Sequence, residues 1–328
     1  MKLESVRWGF IGCGDVTEVK SGPAFNKVPN SQVVAVMRRN EEKAKDYAFR
    51  HGIPKWYNYA DKLINDPDIN AIYIATPPSS HCEYTLKAAK ANKTVYVEKP
   101  MARTHEECLK MIKACKDNDV PLFVAYYRRY LPKFLKVKEL IEKDVIGNVS
   151  FIKILLLKDL RIKNDQKENL PWRVVPEISG GGHFIDLASH QFDYLDFLFG
   201  PVLTANSFKK NISKNYNAED YISAGFEFKN GVMGSGVWYF SVAEEFEKDK
   251  IEIVGEKGRI IFSTFDTDPI KLITKHGTKR ITENFPENVQ LPLIQAMVDN
   301  LRDNGKCYST GESGSRANRV IDMIQNIN

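Results

Sequence analysis

Short apolar, β-branched runs at positions 6–11, 32–37, 71–75, 94–97 and 121–125 punctuate the first third of the chain. Longer segments with helical patterning lie between several of them, at 41–51, 81–92 and 104–118. Wholly apolar strands alternating with helices of this length predict βαβ crossovers and a doubly wound parallel sheet covered on both faces. In the segment 80–92, Ser80 is expected to cap the helix, with Glu83 at capping-box spacing and Tyr84, Leu86, Ala88 and Ala89 as its apolar positions. The character changes after about Tyr126. A helical segment at 132–143 leads to a long strand at 149–157, a polar loop-like stretch at 158–178 and a glycine-rich helix start at 180–182. Positions 202–281 are β-rich: Lys229-Asn230-Gly231 and Gly255-Glu256-Lys257-Gly258 each separate two β-like runs, the signature of hairpins and so of antiparallel pairing. Helical patterns at 289–304 and 315–327 close the chain. The predicted architecture is an α/β domain over 1–125 followed by an α+β domain over 126–328 with a large, mostly antiparallel sheet.

A length of 328 residues agrees with two domains, and 43% hydrophobic with 27% charged residues excludes a disordered chain or a fibre. No apolar run is long enough to span a bilayer, and the opening MKLESVRWGF is too short and charged for a secretory signal, so a cytoplasmic address is expected and no membrane partner. Five scattered cysteines form no CxxC pair, which argues against a zinc site or a disulfide framework. The net charge of +5 has no clustered patch behind it, so no nucleic-acid partner is expected; an anionic small ligand is the better use of local positive charge.

Gly12-Cys13-Gly14 follows a strand and precedes a helical turn, in the first two positions of a dinucleotide fingerprint. The first glycine allows the tight turn and the second lets a pyrophosphate approach the backbone, with Asp15 and Val16 opening the turn beside it. About twenty residues on, where an NAD site places an acidic residue for the ribose, stand Arg38 and Arg39, which suit a 2′-phosphate. NADP(H) is therefore expected over NAD(H). Thr76-Pro77-Pro78 and His81 follow the third parallel strand, at the sheet edge where ligands bind. The next strand delivers Glu98-Lys99-Pro100, a charged amine at the sheet edge or an ordinary surface lysine. Finally, Gly180-Gly181-Gly182 precedes Asp186 and His190, four apart and so on one helical face, suited to proton transfer or to half a metal site. No further ligands accompany them, so no metal is expected.

These four motifs, in this order and spanning the chain, resemble the glucose–fructose oxidoreductase/inositol dehydrogenase (Gfo/Idh/MocA) family. The resemblance implies a Rossmann domain followed by an α+β domain with an open-faced sheet, commonly the interface of a homodimer or homotetramer. It further implies NAD(P)-dependent hydride transfer to or from a secondary alcohol of a sugar, cyclitol or related polyol at the interdomain cleft. By motif match, Lys99 falls on the catalytic, substrate-orienting lysine, Asp186 on the aspartate that contacts substrate and supports the histidine, and His190 on the general acid/base. Arg38 falls where NADP-using members hold the phosphate. Thr17 departs from the small residue usual at the third fingerprint position, implying a helix packed further from the strand. Tyr127, Arg129, Trp172 and Arg173 are candidate substrate contacts, although Tyr127, Arg129 and Arg173 suit interdomain packing equally well. An NAD(H)-retaining glycoside hydrolase of the same fold and a non-enzymatic NADP-binding regulator remain as alternatives.

Overall fold

The computed structural model describes residues 2–162 and 169–327; positions 163–168, part of the stretch expected as a loop, lie outside the described residues. By its contacts the chain divides into two compact units, Met1–Arg129 with Pro286–Ser315, and Tyr130–Phe285 with Arg316–Asn328. A linear boundary at 125/126 makes no provision for Pro286–Ser315, which packs with the first unit. Among the described residues no helix is long and apolar enough to cross a membrane.

The first unit holds six parallel strands, β1 (Val6–Ile11), β2 (Ser31–Met37), β3 (Lys55–Tyr57), β4 (Ala71–Ile74), β5 (Thr94–Val97) and β6 (Leu122–Val124), in the order β3-β2-β1-β4-β5-β6. Order reverses beside β1, so the crevice at the carboxyl ends of β1 and β4 is a topological switch point. Every residue of β4, β5 and β6 is buried, as strands covered on both faces require. Trp8, Phe10, Phe25, Tyr73 and Tyr96 form one aromatic cluster, in which Tyr73 and Tyr96 stack at 4.9 Å and Trp8 meets Phe25 edge-on at 5.0 Å. The returning segment is tied in by Ser309, whose backbone oxygen accepts from Val124 N at 3.0 Å and whose hydroxyl donates to Val124 O at 2.7 Å.

The second unit carries β7 (Val149–Leu157), β8 (Val202–Lys210), β9 (Tyr221–Phe228), β10 (Met233–Tyr239), β11 (Lys248–Gly255), β12 (Gly258–Phe262), β13 (Ile270–Thr274) and β14 (Gly277–Ile281). They form one sheet in the order β14-β13-β12-β11-β7-β10-β9-β8, antiparallel except where β10 runs parallel to β7. Alternation sets the layers: in β9, Ile222, Ala224, Phe226 and Phe228 are buried and their neighbours are not. The helix Gly182–Phe199 covers that face, with Phe184 and Phe192 against Trp238 and Phe199 against Phe228. Phe151 and Met233 are exposed on the opposite face.

Two local expectations are corrected. Ser80 precedes the helix His81–Lys90, but its hydroxyl does not cap it. Ser80 lies in the tight turn Pro78–Ser80, where its hydroxyl turns back to Pro77 O at 3.1 Å and lies 2.7 Å from Thr76 Oγ1. Glu83 pairs with Lys87 one turn on instead of completing a box. After Gly14 the chain makes a widened turn, Val16–Lys20, and a single helical turn, Gly22–Phe25, in place of a regular helix. Thr17 is fully buried there; its hydroxyl donates to Gly14 O at 2.8 Å, and its carbonyl oxygen would sit 2.0 Å from a Cβ on Gly22.

Candidate active site

In the first unit the glycine turn is built by close approach. Gly12 has φ +91°, and a Cβ there would meet Ala75 O at 2.8 Å, whereas a Cβ on Gly14 meets no protein atom within 4 Å. Glycine at position 14 is thus not demanded by packing against the described residues, and the backbone there is open to the approach of a ligand. Arg38, just past β2, folds back over this turn: its Nη1 donates to Cys13 O at 3.1 Å. Arg39 and Asp15 are exposed, and Val16 is half-buried. Burial pushes the Cys13 thiol up to about 11, beyond the opposing pull of Arg38, so this cysteine is an inert packing group. Glu18, in the next turn, is held down to about 2 chiefly by the hydrogen bond from Arg50, with His51 adding to it.

The Thr76-Pro77 loop lies against the same turn, Thr76 Cγ2 being 3.1 Å from where a Gly12 Cβ would stand. His81 is fully buried. Its Nε2 lies 2.7 Å from Thr76 O and its Nδ1 3.1 Å from Pro100 O, so the ring bridges the loop to the Lys99-Pro100 junction by backbone contacts. That junction is cis. Glu98 is likewise buried: its Oε1 accepts from Tyr73 OH at 2.6 Å and from Gln290 Nε2 at 2.8 Å, while Tyr96 OH donates to Gln290 Oε1 at 2.6 Å. The stacked tyrosines of the core thereby fix the carboxylate immediately before Lys99. Desolvation raises both phenols well above their usual range, so each acts as a donor. Gln290 carried no signal in the sequence, because it arrives from the returning segment.

Lys99 is half-buried and Tyr127 likewise, whereas Arg129 is buried with its guanidinium 3.4 Å from Tyr308 O.

In the second unit, Gly180, Gly181 and Gly182 all have positive φ, and Gly182 begins the helix that carries Asp186 and His190. A Cβ on Gly181 would lie 2.1 Å from Gln325, so the triplet serves both the turn and a close approach of the last helix. Asp186 Oδ2 pairs with Arg173 Nε at 3.4 Å, and the Arg173 guanidinium stacks 4.6 Å over the Trp172 ring. One sequence candidate for substrate contact, Arg173, thus meets the candidate catalytic aspartate directly, and a second, Trp172, stacks on that arginine. His190 is 4% exposed and meets Phe265 edge-on at 6.0 Å. Among the described residues, no group of three or more His, Cys, Asp or Glu side chains is placed to hold a metal ion.

His183, one turn before Asp186, passed unnoticed in the sequence. It packs against Tyr216 and Phe240, and burial pushes its imidazole down to about 4 against the pull of Asp186. Between the ordinary value of 6.5 and about 4, the unfolded chain binds a proton there that the folded chain does not. Stability is therefore expected to fall as pH drops through that window, by up to about 3 kcal/mol, and to level off below it. Thermal melting of the wild type beside His183→Gln from pH 7 to 4 checks this: the wild type should lose more stability, whereas parallel curves would assign the loss elsewhere.

A doubly wound sheet with a glycine turn at its switch point, and a separate unit presenting an Asp/His helix, define a dinucleotide-dependent oxidoreductase. Comparison with known proteins agrees. The family model described as an oxidoreductase family with an NAD-binding Rossmann fold matches residues 6–126, and the Gfo/Idh/MocA C-terminal domain model matches residues 134–261. Oxidoreductase P35 of Formosa agariphila is 42% identical over 97% of this chain and 98% of its own length. The scyllo-inositol 2-dehydrogenase (NAD(+)) of Bacillus subtilis is 26% identical over 83% of this chain and 78% of its own. Among solved structures, a levoglucosan dehydrogenase in complex with NADH and levoglucosan superimposes with a TM-score of 0.89 at 24% identity, covering 98% of this chain and 97% of that one, and so shares its fold. The chain belongs to the Gfo/Idh/MocA family of NAD(P)-dependent oxidoreductases.

Proposed function

We propose that the chain is an NADP(H)-preferring dehydrogenase or reductase of sugars, cyclitols or related polyols, with His190 as general acid/base. The observation that carries the cofactor preference is Arg38, folded over the glycine turn at 3.1 Å from Cys13 O. There its guanidinium suits a 2′-phosphate, with Arg39 beside it in sequence. Gly12, Gly14, Asp15, Val16, Thr76 and Pro77 would line the dinucleotide, and Lys99 would reach its ribose. His81 and Glu98, both buried, act by holding Thr76 and Lys99 in position.

A nicotinamide dinucleotide bound there supplies the acceptor or donor of hydride. In the direction of oxidation, His190 takes the proton of the substrate hydroxyl, and Lys99 hydrogen-bonds that oxygen and steadies its developing negative charge. Asp186, oriented by Arg173, binds a neighbouring hydroxyl, with Trp172 as part of the same wall. Relatives named for the oxidation of inositols support a polyol as substrate. Tyr127 is a further candidate contact. A cytoplasmic address and a homodimer or homotetramer joined through the face of the eight-stranded sheet that carries Phe151 and Met233 complete the proposal.

The test is nicotinamide absorbance during incubation with NADP⁺ or NAD⁺ and a panel of sugars, sugar acids and cyclitols, with ketoses and NADPH in reverse. Net turnover of a polyol, faster with NADP⁺, is expected. A faster reaction with NAD⁺ would overturn the cofactor assignment. Release of a sugar or aglycone without net cofactor change would favour a glycoside hydrolase.

A further inference from the structure

We infer that Phe265 is a substrate-positioning ring beside His190, and that the buried ammonium of Lys133 is the group that sets it there. The inference rests on His190 being the acid/base. It concerns the second unit alone.

After β12 the chain runs Ser263-Thr264-Phe265-Asp266-Thr267-Asp268, a polar sequence of the kind that makes a mobile surface loop. Its tip is exposed, yet Ser263 and Thr264 are buried and the Phe265 ring stands edge-on to His190 at 6.0 Å. Side chains from several elements hold it. Lys133 Nζ, from the helix Pro132–Glu142, donates to Ser263 Oγ at 2.7 Å and to Asp266 O at 2.9 Å, clamping the chain on both sides of Phe265. From β11, Asp249 Oδ2 accepts the Phe265 N–H at 2.5 Å. Gln191, next to His190, donates to Thr264 Oγ1 at 3.1 Å and is itself fixed by Trp238 Nε1 at 2.6 Å.

Lys133 is only 2% exposed. Burying an ammonium is costly unless hydrogen bonds compensate it, and two of those that Lys133 makes fix the chain on either side of Phe265, so the lysine imposes a geometry that a methionine of similar size would not. What it imposes is the position of an apolar ring next to the acid/base. Asp186 and Arg173 offer hydrogen bonds to hydroxyls, and an aromatic face offers the complementary surface for C–H bonds. Together they fit a substrate that presents a flat C–H face, a pyranose or cyclitol ring, better than an open-chain polyol.

The experiment uses the full-length enzyme with saturating cofactor, D-glucose and myo-inositol as cyclic probes and D-sorbitol as the open-chain probe. Phe265→Ala is expected to raise KM for the cyclic probe that is turned over by about three- to tenfold, to leave kcat within about threefold, and to narrow its advantage over D-sorbitol. Phe265→Tyr should keep the wild-type KM. Lys133→Met should raise KM in the same direction and, by hydrogen-exchange mass spectrometry without substrate, speed exchange in peptides spanning 262–268 by about tenfold or more. An unmoved KM in Phe265→Ala, or a Phe265→Leu variant equal to the wild type, would overturn the ring's role. Unchanged exchange in a folded Lys133→Met would overturn the clamp. His190→Asn, run in parallel, separates the two readings: if it retains turnover, the acid/base assignment falls; if it is inactive while Phe265→Ala is unaffected, only the present inference falls.

Discussion

Replacing His190 with alanine is expected to lower turnover about 10²–10⁴-fold while leaving nucleotide affinity nearly unchanged. The split follows from the architecture. His190 sits on the helix Gly182–Phe199 of the second unit, whereas the glycine turn and Arg38 belong to the first. On the proposed mechanism, loss of the imidazole removes the proton acceptor from the transition state, but no group that the glycine turn offers to a dinucleotide. The variant also opens a cavity beside Phe265, so its melting temperature must be compared with the wild type before rates are read. Single-turnover absorbance measurements at saturating nucleotide report the chemical step, and calorimetric titration with NADPH reports the binding. Full turnover in a folded variant, with chemistry shown to limit the rate, would remove His190 from the mechanism. A matched loss of NADPH affinity would mean that the substitution acts through structure.

The second large effect concerns cofactor choice. Arg38→Ala is expected to weaken NADPH binding about 10- to 100-fold and NADH binding only slightly, because a guanidinium–phosphate hydrogen bond is charge-assisted and only NADPH carries the 2′-phosphate. The bond from Arg38 Nη1 to Cys13 O gives the test its edge. If the main task of Arg38 is to brace the glycine turn, both nucleotides will lose affinity equally. Titration of both nucleotides against wild type and variant, at one fixed ionic strength, decides between phosphate recognition and bracing.

Local sequence signals and tertiary contacts divide this fold in a consistent way. Apolar runs and glycine spacing revealed β1, β2 and β4–β6, both hairpins and the helix that carries Asp186 and His190. Those signals are local: a wholly buried strand needs consecutive apolar residues, and a positive φ at Gly12 or Gly182 needs a glycine at that position. β3 escaped because Lys55–Tyr57 is three residues long and none of them is buried, so it lacks the apolar run that marks its neighbours. Ser80 and Glu83 had capping-box spacing, but the preceding prolines drew the serine into a turn of its own and directed its hydroxyl back to Pro77.

The sequence by itself determined β1, β2 and β4–β6 with the helices between several of them, the glycine turn with its two arginines, the lysine at the end of β5 and the Asp/His pair four residues apart. Each depends on residues close together in the chain. Only the tertiary structure decided that Pro286–Ser315 returns to the first unit and brings Gln290 to Glu98, that Arg173 pairs with Asp186, and that a buried Lys133 clamps the loop carrying Phe265. Lys133 and Ser263 are 130 positions apart, and Gln290 and Glu98 are 192 apart. A buried charge or amide is fixed by whichever partner the fold carries to it, and hydrophobic periodicity holds no record of that partner.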